Sequence, residues 1–367
     1  MLPKKSKNPF SSTLFAWNLA KNHRKMPWKG EKDPYRIWLS EIILQQTRVE
    51  QGLGYYQRIL KAYPTVKKLA KADDNQVFKL WEGLGYYSRC RNLLETARFI
   101  TEKRKGVFPD SFEELKSLKG VGSYTAAAIA SFAFNLPHAV VDGNVFRVLA
   151  RLFGIDLAID STEGKKKFTE LANTLLDPEQ PGVYNQAIMD FGATMCTPSN
   201  PDCGACNLSS KCVAFNVNKV NQLPVKLKRI TKKKRHFDFF CFNYNGTWML
   251  QQRGEGDVWN GLFQFYVLEQ DRMPDFTDNY LETVLKHQFG LSNKQWKYIG
   301  ANKQPQLFKQ VLTHQTIEAR FICIQLSKMP KMLQNALWVK PKQLSKYAFP
   351  KIINDFLVTF HHGSALE

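Results

Sequence analysis

The sequence predicts a two-domain protein of mixed class, an all-α domain followed by an α+β domain. Its 367 residues make two domains the default expectation. The pattern is helical up to about residue 216. From His236 it changes to the strand-like runs His236 to Asn243 and Trp248 to Gln252, rich in aromatics and flanking the hairpin signal Asn245-Gly246. Between the two lies the most concentrated charge in the chain, Lys226, Lys228, Arg229, Lys232, Lys233, Lys234 and Arg235, after Pro224. This reads as a linker, either a solvated tether or a strap that tracks phosphates. The expected boundaries are 1–216, a linker over 217–235, and 236–360, with the basic stretch Met1 to Phe10 disordered.

Charge narrows the partner. A formal net charge of +20 and a pI near 9.6 are large for an enzyme of this size, and binding to a polyanion is the usual physical reason. No stretch approaches eighteen consecutive apolar residues, and none combines a basic face with an apolar one strongly enough to prefer lipid to nucleic acid. The expectation is a soluble, cytoplasmic protein that does not bind membranes.

Four of the seven cysteines, Cys196, Cys203, Cys206 and Cys212, follow the spacing C-x6-C-x2-C-x5-C. With 44% hydrophobic residues and no secretory segment, the chain has no need of a disulfide framework, so the spacing reads as a metal site. Zinc is usually held by two C-x2-C knuckles, and only Cys203 and Cys206 form one. Four thiolates around an iron–sulfur cluster fit better, with zinc as the alternative. Cys90, Cys241 and Cys323 read as buried free thiols.

Asp33-Pro34 sets an N-cap before a proline at the first helical position, predicting a helix from about Tyr35 to Gln51. Among its apolar residues stands one carboxylate, Glu41. Partial desolvation would raise its pKa toward the range useful for acid–base work; the alternative is a structural pair with Arg36 or Arg48. Further on, Gly120-Val121-Gly122 separates the segment Phe112 to Leu118 from an alanine-rich helix. This reads as a helix-hairpin-helix near 112–134, whose glycines allow the tight turn and whose second helix opens with amides that suit a phosphate, although a lone G-x-G also fits an ordinary turn. Asp142 precedes Gly143-Asn144-Val145 and is placed to cap the next helix, where a carboxylate is kept ionised.

The string Pro27-Trp28, Asp33-Pro34-Tyr35, Trp38-Leu39-Ser40-Glu41, Leu44-Gln45-Gln46-Thr47, Gly83-Leu84-Gly85-Tyr86-Tyr87, Gly120-Val121-Gly122, Val141-Asp142-Gly143-Asn144-Val145 and the four cysteines resembles the MutY family. These are adenine DNA glycosylases of the endonuclease III superfamily, and the resemblance spans roughly residues 10 to 216. It implies a [4Fe-4S] cluster on the four cysteines and makes Glu41 and Asp142 the catalytic carboxylates. Tyr124 occupies the position where lyase members carry a Schiff-base lysine, which implies a monofunctional enzyme. Carried over residue by residue, Trp28, Lys29 and Gln186 match the adenine pocket, with Lys29 in place of the arginine of some relatives. Gln46 and Tyr86 match the residues that fill the gap and wedge beside the opposite base, while Thr47, Leu84, Gly120, Gly122 and Asn144 match other DNA contacts.

From about His236 to Leu357 the chain more weakly resembles the Nudix-like domain with which the family reads 8-oxoguanine. The glutamate-rich metal box of Nudix hydrolases is missing, so nucleotide hydrolysis is not expected. The family's loop commonly reads Phe-Ser-His. Here it reads Leu312-Thr313-His314, after Phe308, so Thr313 and His314 are the candidate lesion contacts. The implied partner is double-stranded DNA carrying 8-oxoguanine:A or G:A mispairs, bound by a monomer. The competing readings are a glycosylase-lyase for damaged pyrimidines and a non-catalytic iron–sulfur DNA-binding protein.

Overall fold

The computed structural model describes residues 8–227, 231–300 and 304–363. Most of the basic N-terminal stretch and the linker residues Lys228 and Arg229 therefore lie outside the described residues. Packing divides the chain into two units, Met1–Ala72 with Arg91–Lys228, and Asp73–Cys90 with Arg229–Glu367. The division is not sequential, because a segment from the first half of the chain packs with the second.

The helices of the first half of the chain are α1 (Pro9–Lys21), α2 (Pro34–Leu44), α3 (Val49–Ala62), α4 (Val66–Ala70), α5 (Asp74–Trp81), α6 (Tyr87–Lys103), α7 (Phe112–Ser117), α8 (Ser123–Phe134), α9 (Gly143–Phe153), α10 (Thr162–Leu175), α11 (Pro181–Thr194) and α12 (Val213–Asn216). The stretch expected to be disordered is helical at its end. Asn8 caps α1 through the Phe10 amide, and Phe10 packs edge-on against Tyr184 and Phe153.

Asp33 caps α2 as expected, accepting from the Tyr35 amide, with Pro34 at its first turn. The helix expected to reach Gln51 nevertheless stops at Leu44. Gln45 leaves the helical region and Gln46 has φ 55°, so a sharp turn separates α2 from α3. Close packing rewards the break: a Cβ on Gly52 of α3 would stand 2.9 Å from Leu44 Cδ2 and 3.2 Å from Ile43 Cγ2. Apolar spacing alone runs through such a turn without marking it.

The hairpin between α7 and α8 forms as expected. Ser111 caps α7 through the Glu114 amide, and Gly120 takes φ 78° at the turn, where a Cβ would lie 2.8 Å from Asn92 Cβ. Ala126, Ala127, Ala128 and Ala130 of α8 are buried, which lets neighbouring helices approach closely. The core joins Leu14 and Trp17 of α1, Leu149 of α9, Phe168 of α10 and Ile188 and Phe191 of α11. Residues expected to begin the linker also pack here: Leu223 is buried, and the Val225 carbonyl accepts from the Ile159 amide at 3.0 Å.

In the second unit, the strands are β1 (Lys233–Tyr244), β2 (Thr247–Gln252), β3 (Phe263–Gln264), β4 (Tyr266–Gln270), β5 (Trp296–Tyr298), β6 (Leu307–Val311), β7 (Gln315–Leu326) and β8 (Leu337–Val339), with helices α13 (Asp278–Phe289) and α14 (Lys351–Gly363). Asn245 (φ 49°) and Gly246 (φ 73°) make the expected tight turn between β1 and β2. The sheet order is β3-β2-β1-β7-β5, with β4 on β1, β6 on β7 and β8 on β2. β1 and β7 run parallel from Lys233↔Gln315 to Tyr244↔Leu326. Parallel strands must be covered on both faces, and alternation does this. Phe240, Phe242, Ile322 and Ile324 meet Leu285 and Phe289 of α13, whereas Phe321 stacks on Phe356 of α14 at 4.1 Å.

β1 also absorbs the end of the expected linker. Arg235 is buried and ion-paired with Asp257 at 2.6 Å and with Glu269, so it is a structural residue of the sheet and not part of a phosphate strap.

Candidate active site

Three elements of the first unit deliver three polar side chains to one cavity of about 1000 Å³: α2 carries Glu41, the first turn of α8 carries Tyr124, and Asp142 is the N-cap of α9. Glu41 is only 7% exposed. Burial pushes its pKa up to about 7, against a hydrogen bond from Tyr124 and with the Asp142 carboxyl acting in the same direction as burial. Neither structural pairing expected as an alternative describes Glu41, because Arg36 is engaged with Glu31 at 3.1 Å and the carboxyl faces Tyr124 and Asp142. Burial and these two carboxyls also hold the Tyr124 phenol well above its ordinary range, and its oxygen lies 3.8 Å from Met189 Sδ.

Asp142 accepts from the Val145 amide at 2.8 Å and from Asn144 Nδ2 at 2.7 Å. The cap was expected to keep it ionised. Burial outweighs these hydrogen bonds and nearby Arg147, so its pKa sits above the ordinary aspartate value. Asn144 is thereby a bridging residue: Arg147 Nη2 donates to its Oδ1 at 2.8 Å, and Arg147 Nε donates to the Cys196 carbonyl at 2.7 Å.

Trp28, Lys29, Thr47, Asn144 and Gln186 line the same cavity. Two of them meet on a residue that the sequence did not single out. Asp190, fully buried on α11, accepts from Gln186 Nε2 at 3.0 Å, Lys29 Nζ at 3.0 Å, Arg24 Nη1 at 2.9 Å and Asn22 Nδ2 at 2.8 Å. It ties the loop before α2 to α11. The four-residue spacing of Gln186 and Asp190 was visible, but nothing in it marked the aspartate as buried. Gln46 is exposed at the turn, and Gly120 and Gly122 open α8, whose N-terminus no side chain caps.

In the second unit, Tyr86 is 42% exposed with φ 49°. Leu84 is buried, so as it stands it is a packing residue and not an exposed DNA contact. Leu312, Thr313 and His314 form the tip between β6 and β7, closed by the Leu312 amide on the Gln315 carbonyl at 2.8 Å. Thr313 Oγ1 is hydrogen-bonded to the Tyr86 hydroxyl, and His314 is exposed. Phe308 packs against Phe321 at 5.2 Å and so belongs to the core rather than to the tip.

The four cysteines lie in the loop after α11. Among the described residues no three His, Cys, Asp or Glu side chains gather tightly enough to share one metal ion. The four thiols nevertheless feel one another: Cys196 and Cys212 both raise the pKa values of Cys203 and Cys206, after burial. Hydrogen-bond donors surround them, with Arg151 Nη1 3.4 Å from Cys196 Sγ and the Leu208 amide 3.4 Å from Cys206 Sγ. Four thiols in a half-buried loop, with N–H groups turned to sulfur, suit an iron–sulfur cluster, whose sulfurs take such bonds. Cys90, Cys241 and Cys323 are buried thiols outside any disulfide, as expected.

Residues 39–174 match the HhH-GPD superfamily of base excision DNA repair proteins, and residues 239–358 match a NUDIX domain. An adenine DNA glycosylase of Buchnera aphidicola subsp. Baizongia pistaciae is 36% identical over 258 residues, 70% of this chain and 73% of that protein. The chain belongs to the adenine DNA glycosylase family. Another adenine DNA glycosylase, from Buchnera aphidicola subsp. Schizaphis graminum, is 29% identical over 96% of this chain and 98% of its own length, so family membership extends across both units. The human adenine DNA glycosylase is 42% identical over 56% of this chain and 39% of its own length. A thermostable thymine-DNA glycosylase superposes with a TM-score of 0.53 at 30% identity, covering 57% of this chain and 95% of its own. A buried carboxyl whose pKa is raised to about 7, beside a second carboxyl, is the kind of group that general acid–base chemistry uses.

Proposed function

We propose that this chain is a monofunctional adenine DNA glycosylase that removes adenine mispaired with 8-oxoguanine or guanine. Base excision of adenine is the activity of the family to which it belongs. The observation that carries the mechanistic reading is the pKa of about 7 at Glu41, held beside Tyr124 and Asp142 in one cavity. Adenine cannot be reached inside a duplex and must be flipped out, at a cost of a few kcal/mol that a mispair lowers. Protonated Glu41 gives its proton to adenine N7, which makes the base a better leaving group. Asp142 and Tyr124 then stabilise the oxocarbenium-like sugar while water, deprotonated by Glu41, adds to it. No lysine replaces Tyr124, so no Schiff base is formed there.

Trp28, Lys29 and Gln186 hold the flipped adenine, and Gly120 and Gly122 present helix amides to phosphate. Gln46, Thr47 and Tyr86 act at the gap and beside the opposite base, which Thr313 and His314 read on the second unit. Cys196, Cys203, Cys206 and Cys212 would hold a [4Fe-4S] cluster, which when bound fixes the loop and places Lys211 toward phosphate, while bond breaking belongs to Glu41 and Asp142. The enzyme acts as a monomer in the cytoplasm; among the described residues no helix is long and apolar enough to cross a membrane. Incubating the full-length protein with an 8-oxoguanine:A duplex should yield strand breaks only after alkali. Breaks without alkali would favour the glycosylase-lyase reading, and no breaks at all would favour a non-catalytic DNA-binding protein.

A further inference from the structure

Tyr86 projects from a turn whose backbone is unfavourable on its own. Gly83 (φ 91°), Gly85 (φ 79°) and Tyr86 (φ 49°) all lie in the left-handed region, and a bulky aromatic residue rarely adopts it without support. The support comes from a neighbour one helical turn further on. Arg89, 7% exposed in the first turn of α6, places its guanidinium 5.4 Å from the centroid of the Tyr86 ring and 5.4 Å from that of Trp81. Its Nη2 donates to the Gly85 carbonyl at 3.3 Å, and its backbone amide donates to the Tyr86 carbonyl at 2.9 Å. Trp81 Nε1 donates to the same Gly85 carbonyl at 3.0 Å. Burial lowers the Arg89 pKa to about 10, which leaves it charged at neutral pH.

We propose that Arg89, backed by Trp81, is the positioning residue that holds Tyr86 outward in the conformation needed to enter the base stack. The planar guanidinium stacks on an aromatic face and can turn its N–H groups to a carbonyl in the same plane, which a lysine ammonium cannot do. Arg89 is too deeply buried to touch DNA and acts only through Tyr86. The proposal rests on the reading of Tyr86 as the wedge beside the base opposite adenine.

The test uses the full-length protein and a duplex with 2-aminopurine next to the 8-oxoguanine of an 8-oxoguanine:A pair, whose fluorescence rises when the stack opens. Parent protein should brighten the probe and bind this duplex more tightly than a matched one. Arg89→Met should lose most of the brightening and roughly tenfold of the preference for the mispair, as expected for a lost cation–π contact and its hydrogen bond, while the single-turnover rate at saturating protein stays close to the parent's. Arg89→Lys should fall between the two, and Trp81→Phe, which keeps the packing but loses the donor, should show a weaker form of the same signature. Should Arg89→Met not fold, these last two variants carry the test. Tyr86→Ala separates the premises: if it loses brightening while the Arg89 and Trp81 variants keep it, the positioning role is wrong and the wedge stands. If Tyr86→Ala itself keeps brightening and preference, the wedge reading fails and the proposal with it.

Discussion

The Tyr124 hydroxyl is hydrogen-bonded to the Glu41 carboxyl inside a cavity where Asp142 is the next charged neighbour. Burial raises the pKa of Glu41 and the hydrogen bond restrains the rise, so the carboxyl titrates near 7 rather than remaining locked in its protonated form. An acid that must give a proton to a base and later take one from water needs such a value.

The pH dependence follows. If chemistry needs protonated Glu41 and ionised Asp142, single-turnover adenine release should be bell-shaped, falling on the alkaline side above about pH 7. Stability gives an independent reading of the same group. Its folded pKa is raised, so its contribution is complete below the ordinary value of 4.5 and is lost as pH rises through about 7. Glu41→Gln, with no charge to bury, should therefore be more stable than the parent at pH 8, by up to about 3 kcal/mol, and indistinguishable from it below pH 4. Chemical denaturation at the two pH values checks this, and equal stability at pH 8 would argue against a strongly raised pKa.

Asp190→Asn should leave Lys29 and Arg24 without their counter-charge. Both cations are a quarter or more exposed, so the expected cost is about 2 kcal/mol, below the 3–5 kcal/mol typical of breaking a fully buried pair. Adenine release should fall with it, because one acceptor oxygen is left for four donors, Gln186 among them. Thermal unfolding alongside single-turnover kinetics would show whether the loop and the pocket are coupled; full activity in a destabilised variant would separate them.

Purified protein should be brown, absorb broadly near 400 nm and contain about four irons per chain. Replacing Cys203 should weaken DNA binding more than it slows release from bound DNA. A colourless, active protein with one zinc per chain would contradict the cluster assignment.

His314→Ala should bring the rates for 8-oxoguanine:A and G:A closer together while leaving the G:A rate nearly unchanged, because His314 is exposed at the β6–β7 tip and carries no part of the core. An equal fall in both rates would make the tip a general DNA contact.

Much of this was legible from residue types and spacing. Asp33-Pro34, Gly120-Val121-Gly122 and Asn245-Gly246 each encode a local geometry that few other residues satisfy, and each formed where expected. What escaped depends on distant partners. The break after Leu44 is rewarded by Gly52 packing on Leu44, the burial of Arg235 needs Asp257 and Glu269, and Asp190 becomes a hub only when the loop before α2 folds onto α11. Leu84 sits in a motif matched to DNA contacts, yet its side chain is buried. Glu41 was ambiguous on its helix alone, because the cavity it shares with Tyr124 and Asp142 is built from other elements and leaves no mark in its own spacing.

The central claim is that Glu41 supplies the proton, and one paired measurement bears on it most directly. Glu41→Gln keeps the shape of the side chain but has no proton to give, so its affinity for an 8-oxoguanine:A duplex should stay within about threefold of the parent's while single-turnover adenine release falls roughly 10²–10⁴-fold. Release within a few fold of the parent's rate, by a protein that binds the duplex normally, would contradict the account.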